Sequence, residues 1–284
     1  MRFSSRTVSF VIALGDWFAP RGWPVSSGSP SGCVLAYGRE VLTSDSLRFP
    51  SWASGDVVAE LFDAASGRLL VVAQPAAQPD LWTAYLEGAR VSYRQHGVES
   101  AIDYDRVCDG VSTSLFVAAV ESDGRVVGGL RVQGPYTGVD QADAVQEWAG
   151  REGTKELRRQ VGRRLRDGVI EVKAVWVDRD VDCHDALTAA VARVFVHVLT
   201  LMNVRYAFCT AASHAVHRWE SSGGVVSAEV APVGYPDERY RTLLMWWDRQ
   251  RVAGLMTADQ RDAVVMDAAR LRRPVAATGS PRVA

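Results

Sequence analysis

Between residues 169 and 210 the spacing of apolar positions changes period twice. The run Val169–Val177, VIEVKAVWV, sets Val, Ile and Trp against Glu171, Lys173 and Ala174, as a pleated strand with two unlike faces requires. Residues 178–185 offer helix-capping side chains, and 186–202 follow with Arg193 as the one formal charge. That run is too long for a strand and too evenly apolar for a surface helix, so it predicts a buried helix. Residues 204–210 return to a strand pattern. Strand, helix, strand predicts two parallel strands joined by a right-handed crossover. Glu171 stands out, because a carboxylate in mid-strand is costly to bury unless it is paired or has a chemical role.

The flanking pattern predicts a β-hairpin from 57–62 and 68–73, a boundary at the prolines of PAAQP, and a helix over 81–95 ended by Gly97. Residues 115–121 and 125–132 form a second hairpin around SDG, with Gly124 in the turn. Residues 140–166 read as helix, interrupted near 150–153, and 213–222 as a short helix. Strands are predicted at 225–231 and 241–248, then a helix over 257–271 opened by Thr257, then a disordered tail. No internal repeat is present. The organisation predicted is an extension at 1–75 packed on the same domain, a main domain over 76–252, and a C-terminal helix with its tail over 253–284.

Composition narrows the class. The 284 residues, 48% of them hydrophobic, suffice for one large core. A net charge of −1 gives no global attraction to nucleic acid or membrane. The four cysteines show no metal-ligand spacing, so no metal is expected, and they point to a reducing, cytoplasmic setting. The N-terminal apolar run is broken by Gly15 and Asp16, which argues against a signal peptide, and no span long enough to cross a bilayer is evident.

The order of elements, with the hairpin strand RVVGGLRV, then IEVKAVWV, an apolar helix and YAFCTA, resembles the GNAT acyltransferase fold. It is most similar to the branch of acyl-homoserine-lactone synthases and long-chain N-acyl amino acid synthases. Gly128, Gly129 and Arg131 meet that branch's G-x-x-R-like motif. Glu171, Lys173, Ala174 and Val177 meet part of its E-x-x-R-x-x-V-like motif, and Asp103 with Asp105 stand where an acidic pair is usual. The resemblance covers roughly 81–248 and implies an α/β (α+β) fold. Its mixed, twisted sheet has about six or seven strands flanked by helices, with two parallel strands splaying to admit a pantetheine arm. It implies an acyltransferase that moves an acyl group, other than an aminoacyl group, from an acyl-carrier phosphopantetheine thioester or acyl-CoA to the amine of a small amino-acid-like acceptor. Two departures stand out. The glycine-rich pyrophosphate turn is replaced by DRDVDCHDA, which would repel a pyrophosphate, and Trp219 takes the place of the usual acid tyrosine. A module that has lost catalysis and binds an acyl carrier, a ligand or a protein is the alternative.

Glu171 is a candidate base for the attacking amine, or a structural carboxylate paired with Lys173 or Arg131. Asp103 and Asp105 are candidate acceptor-loop acids. Arg131 is a candidate carboxylate anchor or a strand-end ion pair. His214, with His217 three residues on, is a candidate proton donor. Lys173, Val175, Trp176, Val177 and Thr210 are expected around the substrate. Cys209 reads as a small buried hydrophobe. The run Lys155, Arg158, Arg159, Arg163, Arg164 and Arg166 is either a solvated helix face or the dock for an acidic acyl carrier protein. It lacks the interleaved aromatics that single-stranded nucleic acid would need. Oligomeric state is not legible.

Overall fold

The computed structural model describes residues 57–271. The expectations for the N-terminal extension before residue 57, including the targeting reading, and for the tail after 271 lie outside them. In chain order the elements are β1 (Val57–Asp63), β2 (Arg68–Ala73), α1 (Pro79–Gln95), α2 (Tyr104–Val107), β3 (Leu115–Val120) and β4 (Val126–Gln133). Next come α3 (Asp143–Glu147), α4 (Thr154–Gly162), β5 (Val169–Val177), α5 (His184–Leu201), β6 (Tyr206–Ala212) and α6 (Val216–Ser221). β7 (Val225–Val226), β8 (Val233–Gly234), β9 (Arg241–Asp248) and α7 (Ala258–Arg270) complete the described residues.

The nine strands of the described residues join one sheet in the order β1-β2-β3-β4-β5-β6-β9-β7, with β8 also on β9. The β1–β2 hairpin is therefore continuous with the rest, and the two-residue strands β7 and β8 help carry the count above the six or seven expected. The strand predicted over 225–231 pairs only at Val225 and Val226. The helical stretch predicted over 140–166, with its interruption near 150–153, is two short helices, α3 and α4, parted at 148–153 and with single turns around them.

Among the described residues the pairing of β5 with β6 is the one parallel ladder, as the crossover helix requires, and the other pairings are antiparallel. β5 and β6 are in register only at Val169↔Tyr206, Ile170↔Ala207 and Glu171↔Phe208. Beyond Glu171 they part, although β5 runs on to Val177 and β6 to Ala212. That fork positions the site.

One sheet face is covered by α5, with α6 and α7 beside it, in a continuous apolar core that takes in Ile170, Val172, Phe195, Trp219 and Trp247. By length and composition alone α5 could cross a membrane, but most of it is buried here as the core helix. The buried charge on α5 is answered in place: Arg193 reaches Asp63 at 2.5 Å and Asp267 at 2.8 Å, which ties β1 and α7 to α5. The other face carries two separate apolar clusters, one under α1 and one under α3 and α4. Between them the residues of β4 and β5 are polar.

Candidate active site

A β-bulge decides which side chains of β5 face that polar strip. Gly129 registers with Trp176 and Arg131 with Lys173, so Leu130 opposes both Ala174 and Val175. Ala174 takes φ 47°, and the Tyr85 hydroxyl donates to its carbonyl at 2.6 Å. The extra residue reverses the alternation. Val175 and Val177 join Ile170 and Val172 in the α5 core, so the expectation that they line the substrate site is corrected. Trp176 turns instead to the α1 face, where its ring lies against Gly88 and near Tyr85 at 6.3 Å.

Glu171 and Lys173, ahead of the bulge, remain on the polar face with Arg131 of β4, and all three are buried. Glu171 Oε2 accepts the Tyr136 hydroxyl at 2.8 Å and the Asp143 N–H at 2.9 Å. Its Oε1 accepts the Ala144 N–H at 3.1 Å and Lys173 Nζ at 3.1 Å. Four donors on two oxygens make Glu171 the ion-paired carboxylate rather than a free base, and they fasten α3 to the strand. Lys173 Nζ also donates to Glu147 at the end of α3. Arg131 bonds Thr113 at 3.2 Å and lies 3.8 Å from Asp143, whose carboxylate takes Arg106 through bonds of 3.2 and 2.8 Å. Asp103, at φ 48°, joins by its 2.7 Å bond to Arg106.

The electrostatics follow from burial and pairing. Burial would raise the Asp143 carboxyl, but Lys173, Arg106 and Arg131 outweigh it and hold the group below its ordinary value. Burial would lower Lys173, and Glu147, Glu171 and Asp143 raise it instead. Glu147 goes the other way: burial, offset in part by Lys173 and reinforced by Glu171, pushes it up to about 7. Two carboxylates sharing one buried ammonium leave one of them easy to protonate. Burial also keeps the Tyr136 phenol and the Cys209 thiol well above their ordinary values, which fits the reading of Cys209 as a buried hydrophobe.

Not every predicted residue arrives here. Asp105 is exposed on α2, and His214 sits beyond β6 beside Tyr240 at 6.3 Å, its pKa lowered by burial and by His96, Arg218 and His217. Neither shares a hydrogen bond with the cluster among the described residues. Thr210 is buried on β6 past the fork. The basic run is largely answered by acids: Arg158 bonds Asp140 at 2.6 Å, Arg159 bonds Glu156 at 2.7 Å, Arg163 lies 3.8 Å from Glu229 and Arg166 3.9 Å from Asp167. Arg164 stacks on Trp246, and Lys155 stays exposed. Trp219 is core, packed on Phe195 at 5.2 Å. Cys108 is an exposed free thiol and Cys209 a buried one. No metal-binding group occurs among the described residues. Sequence reasoning missed Arg106, Tyr136, Asp143 and Glu147. The only signal was the four-residue spacing of Asp143 and Glu147, which places both on one helix face.

The fold is the GNAT-like acyltransferase fold. FeeM, an N-acyl amino acid synthase from uncultured soil microbes, superposes with a TM-score of 0.51 over 68% of this chain and 96% of its own, at 11% identity. No protein-family model matches the sequence. At the level of sequence, the chain is 44% identical over 215 residues to uncharacterized proteins of Mycobacterium tuberculosis and Mycobacterium bovis, a match spanning 76% of this chain and 82% of each relative. The chain belongs to that mycobacterial family.

Proposed function

We propose that the protein is an N-acyltransferase that moves an acyl group from the thioester of a phosphopantetheine arm to the amine of a small, amino-acid-like acceptor. The observation that carries this reading is the position of the fork. β5 and β6 separate just beyond Glu171, which frees the backbone edge of β5 toward β6 to pair with the amides of a pantetheine arm. The buried Glu171, Lys173 and Glu147 cluster stands at that point. The N-acyl amino acid synthase sharing the fold supports an amino-acid-like acceptor, whose carboxylate Arg131 would meet.

In this reading the acceptor amine attacks the thioester carbonyl, the thiolate leaves, and the proton lost by the amine passes to a carboxylate. Glu147, poised near 7, suits that transfer better than Glu171, whose lone pairs are all engaged. Lys173 supplies positive charge for the oxyanion that develops on the carbonyl. Glu171 positions both by holding α3 and Lys173 together. The unit doing this work spans 76–252, with the β1–β2 hairpin extending its sheet.

The donor we favour is an acyl carrier protein rather than coenzyme A. Asp178, Asp180 and Asp182 precede α5 and Asp185 lies in its first turn, with no glycine among them, so a pyrophosphate there would face carboxylates. Calorimetric titration with a medium-chain acyl carrier protein and with the matching acyl-CoA tests the donor. The carrier thioester is expected to bind and the free CoA ester to bind at least about tenfold more weakly, a difference of about 1.4 kcal/mol. The sequestration of Glu171 by four donors favours a second reading, in which the module binds such a donor without turning it over.

A further inference from the structure

At the far end of β5 and β6 from the fork, beside the first registered pair Val169↔Tyr206, a cavity of about 480 Å³ opens between α4, β7 and β9. It shares no lining residue with the Glu171 cluster. Four arginines line it, Arg163, Arg164, Arg205 and Arg251, against two carboxylates, Glu229 and Asp248.

Those carboxylates are already engaged. Glu229 receives Gln160 at 3.0 Å and Arg159 at 3.3 Å and lies 3.8 Å from Arg163. Asp248 takes two bonds of 3.1 Å from Arg205 and the Gln250 N–H at 3.0 Å. Arg164 and Arg251 have no carboxylate within ion-pair distance among the described residues. Arg164 is instead held by rings, its guanidinium carbon 4.2 Å from the Trp246 centroid and 5.2 Å from that of Tyr206, with one bond to the Gln160 carbonyl at 2.9 Å. Its Nε is shielded from solvent and makes no hydrogen bond. Such stacking fixes the plane of the guanidinium and leaves its donors for a ligand. Gln160 and Ser227 add hydrogen-bonding side chains to the wall, and beside Trp246 it offers apolar surface on Val225 and Leu255, which are 46% and 43% exposed.

We infer that this cavity binds a small amphipathic organic anion, with a carboxylate or phosphate headgroup on Arg164 and Arg251 and an apolar body against Trp246, Val225 and Leu255. The volume lies in the range of small-ligand sites, and an anion offsets the excess of two positive charges in the lining. Planar guanidinium groups match both headgroups through paired hydrogen bonds. The inference is independent of the acyl-transfer reading.

Calorimetry on the full chain with octanoate, octyl phosphate and neutral octanamide tests it. One or both anions are expected to bind at one per chain, at least about tenfold more tightly than octanamide, with the tighter of the two identifying the headgroup. Arg164→Gln should weaken that binding by about tenfold or more. Arg251→Gln, at an exposed position where folding is not at stake, should weaken it in the same direction. Equal affinity for octanamide, no saturable binding of either anion, or unchanged affinity in both variants would overturn the inference.

Discussion

Asp143 binds in two directions: its backbone N–H meets the Glu171 carboxylate at 2.9 Å, while its own carboxylate grips Arg106 at 2.8 Å. One residue thereby joins the buried strand β5 to the loop carrying Asp103, so the cluster behaves as a unit rather than as separate pairs.

Removing Glu171 should therefore be felt in the fold. Glu171→Ala takes the acceptor from two backbone N–H groups, removes the shorter of the two bonds of the Tyr136 hydroxyl and one carboxylate partner of Lys173, a loss of about 3 to 5 kcal/mol in urea unfolding. Glu171→Gln keeps the volume but turns an NH2 toward one set of donors, and should cost about 1 to 3 kcal/mol. A loss under 0.5 kcal/mol in both would mean the carboxylate is not held as described.

Glu147 sets a pH window. Its folded value of about 7 lies above the ordinary 4.5, so the native state holds the proton longer than the unfolded chain. Stability from this group is full below about 4.5 and is lost as pH rises to about 7, by on the order of 3 kcal/mol. Asp143, held low, acts oppositely, its contribution disappearing only as pH falls through its folded value. Unfolding midpoints measured from pH 4.5 to 7.5 should fall for the wild type and run flatter for Glu147→Gln. Parallel curves would contradict the assignment.

Two glycines mark how closely Trp176 and the bulge are packed. A Cβ on Gly88 would collide with the Trp176 ring, and one on Gly129, at φ +152°, with the Val117 backbone carbonyl. Gly88→Ala should cost about 1 to 3 kcal/mol and be partly rescued by Trp176→Phe. Gly129→Ala meets backbone, so no side-chain change in Trp176 should rescue it. Chemical denaturation of the single and double variants separates the two cases.

The clamp on α5 gives a further test. Arg193→Ala leaves Asp63 and Asp267 buried without their shared cation, and should cost about 3 to 5 kcal/mol while exposing α7 to amide exchange. Protection of α7 equal to the wild type would show that the clamp does not hold it.

The elements that were legible in the sequence are those whose period is long and uniform: β5 was read to the residue and α5 and β6 to within two residues at each end, together with their parallel pairing. What escaped was irregular or distant. The bulge at Ala174 has no composition signal, because alanine is not a residue that favours positive φ, and it moved Val175 and Val177 to the other face. Arg193 was visible as an isolated charge, but its partners lie 130 and 74 residues away. Glu171 was singled out because a mid-strand carboxylate needs a reason. Its partner helix α3 was legible as the part of the 140–166 helical stretch before the break near 150–153, but nothing in the sequence aims Asp143 and Glu147 at β5. The basic run of α4 was read without Asp140 and Glu229, which folding brings against it.

Thioester-dependent N-acylation is read out by turnover. The full chain, incubated with a medium-chain acyl carrier thioester and a mixture of amino acids, should release free pantetheine thiol only when the amines are present. Mass spectrometry should show the matching N-acyl amino acid in equal amount. Glu147→Gln should slow product formation by about 10²-fold or more and remove the rise in rate expected as pH passes through about 7. Thiol release that does not depend on the amine, or binding of the donor with no N-acyl product from any amino acid, would contradict the account.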